Sequence, residues 1–123
     1  MQNRKFVPIR LARDNDVDLE FDGVVVAGAS TRRPSAQDRW SDFAIFLTST
    51  GKWVFQVIGK SALQGEVDLS HAFIANTPQE LVNSLFKPDD GGGYYLSRPG
   101  KDLLRILETE FPEIVEFREV EKI

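Results

Sequence analysis

The chain has 123 residues, of which 41% are hydrophobic and 28% charged, and it carries no cysteine and a net charge of -4. That balance is globular rather than disordered, and the length suits a single core over residues 1–123. Without cysteine there are no disulfides, thiolate metal sites or thiol nucleophiles, and with an acidic sum the basic surplus of a general nucleic-acid binder is missing.

In chain order, residues 5–11 place Val7, Ile9 and Leu11 on one side with period two, the pattern of a half-buried strand. Pro8 cannot donate a ladder hydrogen bond and marks that strand as an edge. The segment up to Arg13 holds four basic residues and no acid, whereas 14–22 holds five acids and no base. Within it, 17–22 alternates Val17, Leu19 and Phe21 with Asp16, Asp18, Glu20 and Asp22, and reads as a strand with one solvated acidic face. Asp14, Asp16 and Asp18 have the opening spacing of a calcium loop. Leu19 stands where that loop needs glycine, however, and Val25 where it needs glutamate. A charged strand face that blunts an edge against aggregation is the better account. Asp22-Gly23 is either a tight hairpin turn into 24–29 or a bulge within one longer strand.

Residues 30–38, with Arg32-Arg33-Pro34-Ser35, lack an apolar period and read as a flexible loop. Residues 40–48 and 53–58 then form two strands joined by Ser49-Thr50-Gly51-Lys52, a hairpin connection. Residues 59–65 read as a turn-rich connection, and 66–75 as a strand or an irregular segment. Thr77-Pro78-Gln79-Glu80 opens a helix over about 78–86, with Thr77 as N-cap, Pro78 in the first turn and Glu80 placed for a capping box. Leu81, Val82, Leu85 and Phe86 make its buried stripe. Residues 88–93 read as a second flexible turn and 94–96 as a short strand, and a second helix spans about 99–110 with Leu103, Leu104, Leu107 and Phe111 inward. The β-branched and aromatic residues Ile114, Val115, Phe117 and Val120 favour a terminal strand over 113–123. Strands first and helices later is the order of an α+β domain, an antiparallel meander covered by two short helices.

The chemical motifs are incomplete. Gly59-Lys60-Ser61 ends like a phosphate-binding loop, but Val54 occupies the position of its first glycine, and Gly28-Ala29-Ser30-Thr31-Arg32 lacks the closing glycine of a nucleophile elbow. His71 is the only histidine and has no spaced partner. No catalytic residue, metal ligand or cofactor is assigned. The cluster with most to offer a partner is Arg32, Arg33, Arg39 and Trp40, with Lys52, Trp53 and Lys60 on the hairpin, since arginine and tryptophan dominate binding hot spots. Large aromatics on strands are ordinarily buried, and for the two tryptophans the core reading outweighs the surface one. Tyr94 and Tyr95, beside three glycines, form a second candidate contact loop.

Asp22-Gly23, Arg39-Trp40, Gly51-Lys52-Trp53-Val54, Gly59-Lys60-Ser61 and Gly93-Tyr94-Tyr95-Leu96-Ser97-Arg98-Pro99 with Leu103-Leu104 together resemble a family of small uncharacterised bacterial proteins. Its pattern is an Arg-Trp strand, a glycine-turned hairpin and a late Tyr-Leu-Thr-Arg-like helix start. The resemblance runs from about residue 20 onward, with Phe46 where the pattern has tyrosine and Ser97 where it has threonine. It implies one co-linear domain and no particular activity.

The expectation is therefore a small cytoplasmic interaction or regulatory protein, of bacterial or mobile-element origin, that is not an enzyme and binds another protein. No apolar run is long enough to cross a membrane, and 1–5 is not followed by the apolar stretch of a secretory signal. Contact is expected at 32–40 and the neighbouring hairpin, with an acidic surface as a second face able to imitate nucleic-acid phosphates toward a basic partner. The alternative is a ligand site or enzyme assembled around Arg39, His71 and Tyr95, with Asp42 nearby.

Overall fold

The computed structural model describes residues 4–32, 38–88, 90–92 and 94–117. Five strands form one antiparallel sheet in sequence order: β1 Val7–Leu11, β2 Leu19–Ser30, β3 Arg39–Thr48, β4 Trp53–Ser61 and β5 Leu69–Ala75. Helix α1, Pro78–Leu85, and helix α2, Arg98–Glu110, follow with a two-stranded sheet of β6, Phe86–Pro88, and β7, Tyr94–Leu96, between them. The expected α+β meander is what forms, as a single compact domain.

β2 decides the shape. Its first half pairs with β1, from Leu19 opposite Leu11 to Gly23 opposite Val7, and its second half pairs with β3, from Gly23 opposite Thr48 to Ser30 opposite Asp42. Asp22-Gly23 thus lies within one long strand, and the register shift falls between Val25 and Ala27 instead. Such an extra residue bends a strand and tightens its twist. Gly23 is required for close packing: a Cβ there would stand 2.6 Å from the Phe21 ring and 3.1 Å from the Leu47 carbonyl. The sheet curls, and Ile9, Leu11, Leu19 and Phe21 fold over Phe46, Val54 and Ala72 as a small second core. Phe21 meets Phe46 edge-on at 5.6 Å.

Of the strand expected over 17–22, residues 19–22 form the start of β2, whereas residues 12–18, between β1 and β2, are not strand. They form a strap laid along the outer edge of β5. Asp14 N–H donates to the Ser70 carbonyl at 2.7 Å, and the Asp14 carboxylate accepts from Ser70 N–H at 2.6 Å. The Asn15 amide repeats the exchange with Ala72, at 3.1 and 3.2 Å, and Arg13 donates to the same Ala72 carbonyl. Side-chain amides and carboxylates so arranged satisfy the backbone groups that a neighbouring strand would otherwise pair.

The main core lies on the opposite face of the sheet. Ile45, Trp53, Ala27 and Ala75 pack there against Leu81, Val82 and Leu85 of α1 and Leu103, Leu104 and Leu107 of α2. The helix starts follow their caps: the Thr77 hydroxyl accepts from Glu80 N–H, while the Glu80 carboxylate reaches back to Asn76 N–H, and Ser97 caps α2 through Gly100 N–H. The strand expected over 113–123 does not form in its described part. Pro112–Phe117 is a 3-10 helix, because Ile114, 1% exposed, fills the core beneath α1 and α2. The sheet edge that might have received a strand is also occupied by the strap at β5. β4 runs to Ser61, past the expected turn at 59, because Arg39 and Trp40 continue the ladder opposite Ser61 and Lys60.

Candidate functional site

Alternation along β3 sends Arg39 and Trp40 to opposite faces of the sheet. On one face the Arg32 guanidinium stacks over the Trp40 ring, 4.5 Å from its centroid, with Lys60 directly across on β4. On the other, Arg39 grips Glu66 with two parallel bonds, Nε to Oε1 at 3.1 Å and Nη2 to Oε2 at 2.5 Å, and Ser61 Oγ donates to the same carboxylate. The hydrogen bond from Arg39 and then that from Ser61 hold the Glu66 carboxyl below its usual range, and the bond to Glu66 in turn raises Arg39. Lys60 pairs with Asp68 at 3.4 Å. Arg39 and Lys60 are therefore neutralised by carboxylates of the β4–β5 connection. Arg33 lies outside the described residues.

The hairpin members expected beside this cluster are elsewhere. Lys52 and Trp53 sit at the far end of β3 and β4, about 27 Å away at 3.4 Å per residue. Trp53 is core, 5% exposed and edge-on to Phe111 at 5.0 Å. Lys52 instead borders an open groove at the mouth of the curled sheet, lined by Leu19, Phe21, Val54 and Ile74. Tyr94 and Tyr95 are exposed on β7, opposite Pro88 and Lys87 in the small sheet. Nor do the members of the alternative site converge. His71 lies on the face of Arg39 but makes no side-chain hydrogen bond or ion pair with a described residue. Asp42 lies on the other face, accepting from Ser30 Oγ at 2.6 Å, and Tyr95 belongs to the second sheet. Among the described residues no group of acids and histidine is arranged to hold a metal ion, and no helix is long and apolar enough to cross a membrane.

A different surface stands out once exposure is known. Val17, Leu63, Val67, Leu69, Phe73 and Ile74 are all exposed, and all lie on β5, on the connection entering it, or on the strap along its edge. On the helix-bearing face, Leu69 and Phe73 are 54% and 48% exposed, next to half-buried Val57, Phe55 and Phe43. Phe55 is paired directly across from Phe73 and stacks on Phe43 at 6.2 Å. The two helices seal Ala27, Ile45, Trp53 and Ala75, Phe43 and Phe55 are partly buried against that core, and beyond them Leu69 and Phe73 are left uncovered. The period-two run of Leu69, His71, Phe73 and Ala75 carries the signal. In the sequence it is masked by the acids and glycine before it.

The fold and surface define the class: a curled, up-and-down five-stranded antiparallel sheet with paired helices on half of one face and an apolar strip on the rest. No family model matches the chain, and no curated protein or solved structure is significantly similar to it. The functional reading rests on the geometry alone.

Proposed function

We propose that the protein is a non-enzymatic, cytoplasmic interaction module that binds a protein partner through the bare half of its helix-bearing sheet face, on β4 and β5. The observation that carries this reading is the strip in which Leu69 and Phe73, about half exposed on one face of β5 with His71 between them, adjoin half-buried Phe55 and Val57 on β4, since single scattered apolar side chains need no explanation and a contiguous strip does. Strand addition is a poor competitor. Pro8 removes a donor from the β1 edge, and Asp14 and Asn15 occupy the β5 edge. A face, rather than an edge, is what the molecule offers. The scattering of Arg39, His71, Asp42 and Tyr95 supports binding over catalysis, which needs its groups within hydrogen-bond reach.

The test is capture of partners from host lysate by the wild-type chain and by Leu69→Ser/Phe73→Ser, with Tyr94→Ser/Tyr95→Ser as a control. The expected result is a partner retained by wild type and control and lost by the β5 variant, with all three giving the same far-UV spectrum. A partner lost instead on Arg32→Ala/Trp40→Ala would move the contact to the other end of the sheet.

A further inference from the structure

Resting on that reading, we infer that the partner's contact element is a cationic amphipathic helix, lying along β4 and β5 with its apolar side on Phe55, Val57, Leu69 and Phe73. Width argues for a helix. The bare strip is two strands across, about 10 Å at the usual spacing, which is the diameter of one helix with its side chains. α1 and α2 already pack as helices on the same face, and an extended strand has no free edge to join at the strap.

Charge argues for a basic one. The strap along the β5 edge carries Asp14, Asp16 and Asp18, and the β4–β5 connection carries Glu66 and Asp68. The cations near them are already engaged: Arg13 by Asp16 and the Ala72 carbonyl, Arg10 by Asp18 and Glu20, Arg39 by Glu66 and Lys60 by Asp68. Asp14 forms no ion pair among the described residues; its carboxylate holds Ser70 N–H. The border is left with a negative surplus, in keeping with the net charge of -4. Acidic rims of this kind steer and orient basic partners more than they add raw affinity. A second copy of the chain is disfavoured by the same charges, because a two-fold contact over the strip would bring the acidic borders of two copies together.

The experiment uses two synthetic helices of about 18 residues, five turns long. They share one leucine stripe, and one carries lysine and the other glutamate on the polar side. Fluorescence anisotropy against the full chain should show the lysine helix binding at least about tenfold more tightly, a ratio that shrinks as salt rises because the border charges are solvent-exposed. Leu69→Ser/Phe73→Ser should abolish binding. Asp16→Asn/Asp68→Asn, which leaves the apolar strip untouched, should weaken it by about three- to tenfold. Equal binding of both helices, lost in the β5 variant, would overturn the charge assignment and leave the surface reading standing. Binding unchanged by Leu69→Ser/Phe73→Ser would overturn both, and dimerisation of the wild-type chain in sedimentation, lost in that variant, would replace the helix by a second copy.

Discussion

The two halves of the helix-bearing sheet face are built from similar residues and meet different fates. Over one half, Ile45, Trp53 and Ala75 are sealed by Leu81, Val82, Leu103 and Leu107; over the other, Phe43 and Phe55 stack on each other and are only partly buried against that core, and Phe73, across from Phe55, is half exposed. Residue type does not separate them, since each half has β-branched and aromatic side chains in period two. What separates them is where the chain places its helices: β5 ends at Ala75, Thr77 caps α1 at once, and the first helix is laid over the half of the sheet nearest that corner. A hydrophobic strand residue is therefore core or contact surface according to which element the topology brings over it.

Truncation should expose this contrast most sharply. Leu103→Ala in α2, at a site fully shielded from solvent, should cost about 3 kcal/mol in a urea melt, the usual loss for a leucine removed from a packed core. Phe73→Ala removes a larger side chain, yet half of that ring is already in water, and the cost should stay below about 1 kcal/mol. Similar costs at the two positions would mean that the bare half is not bare. The strap comes next in size. Asp14→Ala gives up a hydrogen bond of a charged acceptor to Ser70 N–H, worth about 1.5 kcal/mol, and uncovers part of the β5 edge. Lower stability should be accompanied by concentration-dependent light scattering, and its absence would show that the edge is protected by other means.

Much of the covered half was legible in the sequence. The hairpin around Gly51, the Thr77 cap and the stripe of Leu103, Leu104 and Leu107 are local patterns, and local patterns survive folding. The bare half was not legible, for reasons that are equally physical. Asp14, Asp16 and Asp18 alternate as a strand face would, yet they bind Ser70 N–H, Val17 N–H and Arg13 N–H in an irregular strap, and the role of Asp14 exists only once β5 is beside it. Arg39 and Lys60 looked like free cations; Glu66 and Asp68, which neutralise them, belong to the next connection. Lys52 and Arg39 are only thirteen positions apart in the chain, and two antiparallel strands carry them to opposite ends of the sheet. Ile114 and Phe117 have strand-like chemistry, but Ile114 is claimed by the space under the helices.

The boundary between the halves can also be loosened directly. Thr77→Ala removes the hydroxyl that accepts from Glu80 N–H at 3.2 Å and should cost about 1 kcal/mol. Because only Asn76 and Thr77 separate β5 from α1, fraying should be confined to its first turn. Hydrogen exchange should quicken at residues 80–82 and stay unchanged in α2. Equal acceleration in both helices would show that they unfold as one unit and that no boundary exists between the halves.

The smallest effect, and the finest test, belongs to Glu66 at the far rim of the bare half. Its carboxyl is held below the ordinary glutamate range, first by the hydrogen bond from Arg39 and then by that from Ser61. A carboxyl whose folded value is depressed contributes stability above its unfolded value, about 4.3, and loses that contribution as the pH falls through the lowered one. Stability should accordingly rise with pH across this window. Glu66→Gln keeps the shape and one acceptor but cannot titrate, so its melting temperature should lie slightly below that of the wild type near pH 7 and converge on it as the medium is acidified below about pH 4. Both groups face solvent, so added salt should shrink the difference at neutral pH. A gap between the two proteins that stayed constant from neutral to acid pH would show that Glu66 acts through packing alone, and that the pair it forms with Arg39 does not brace the uncovered end of the sheet.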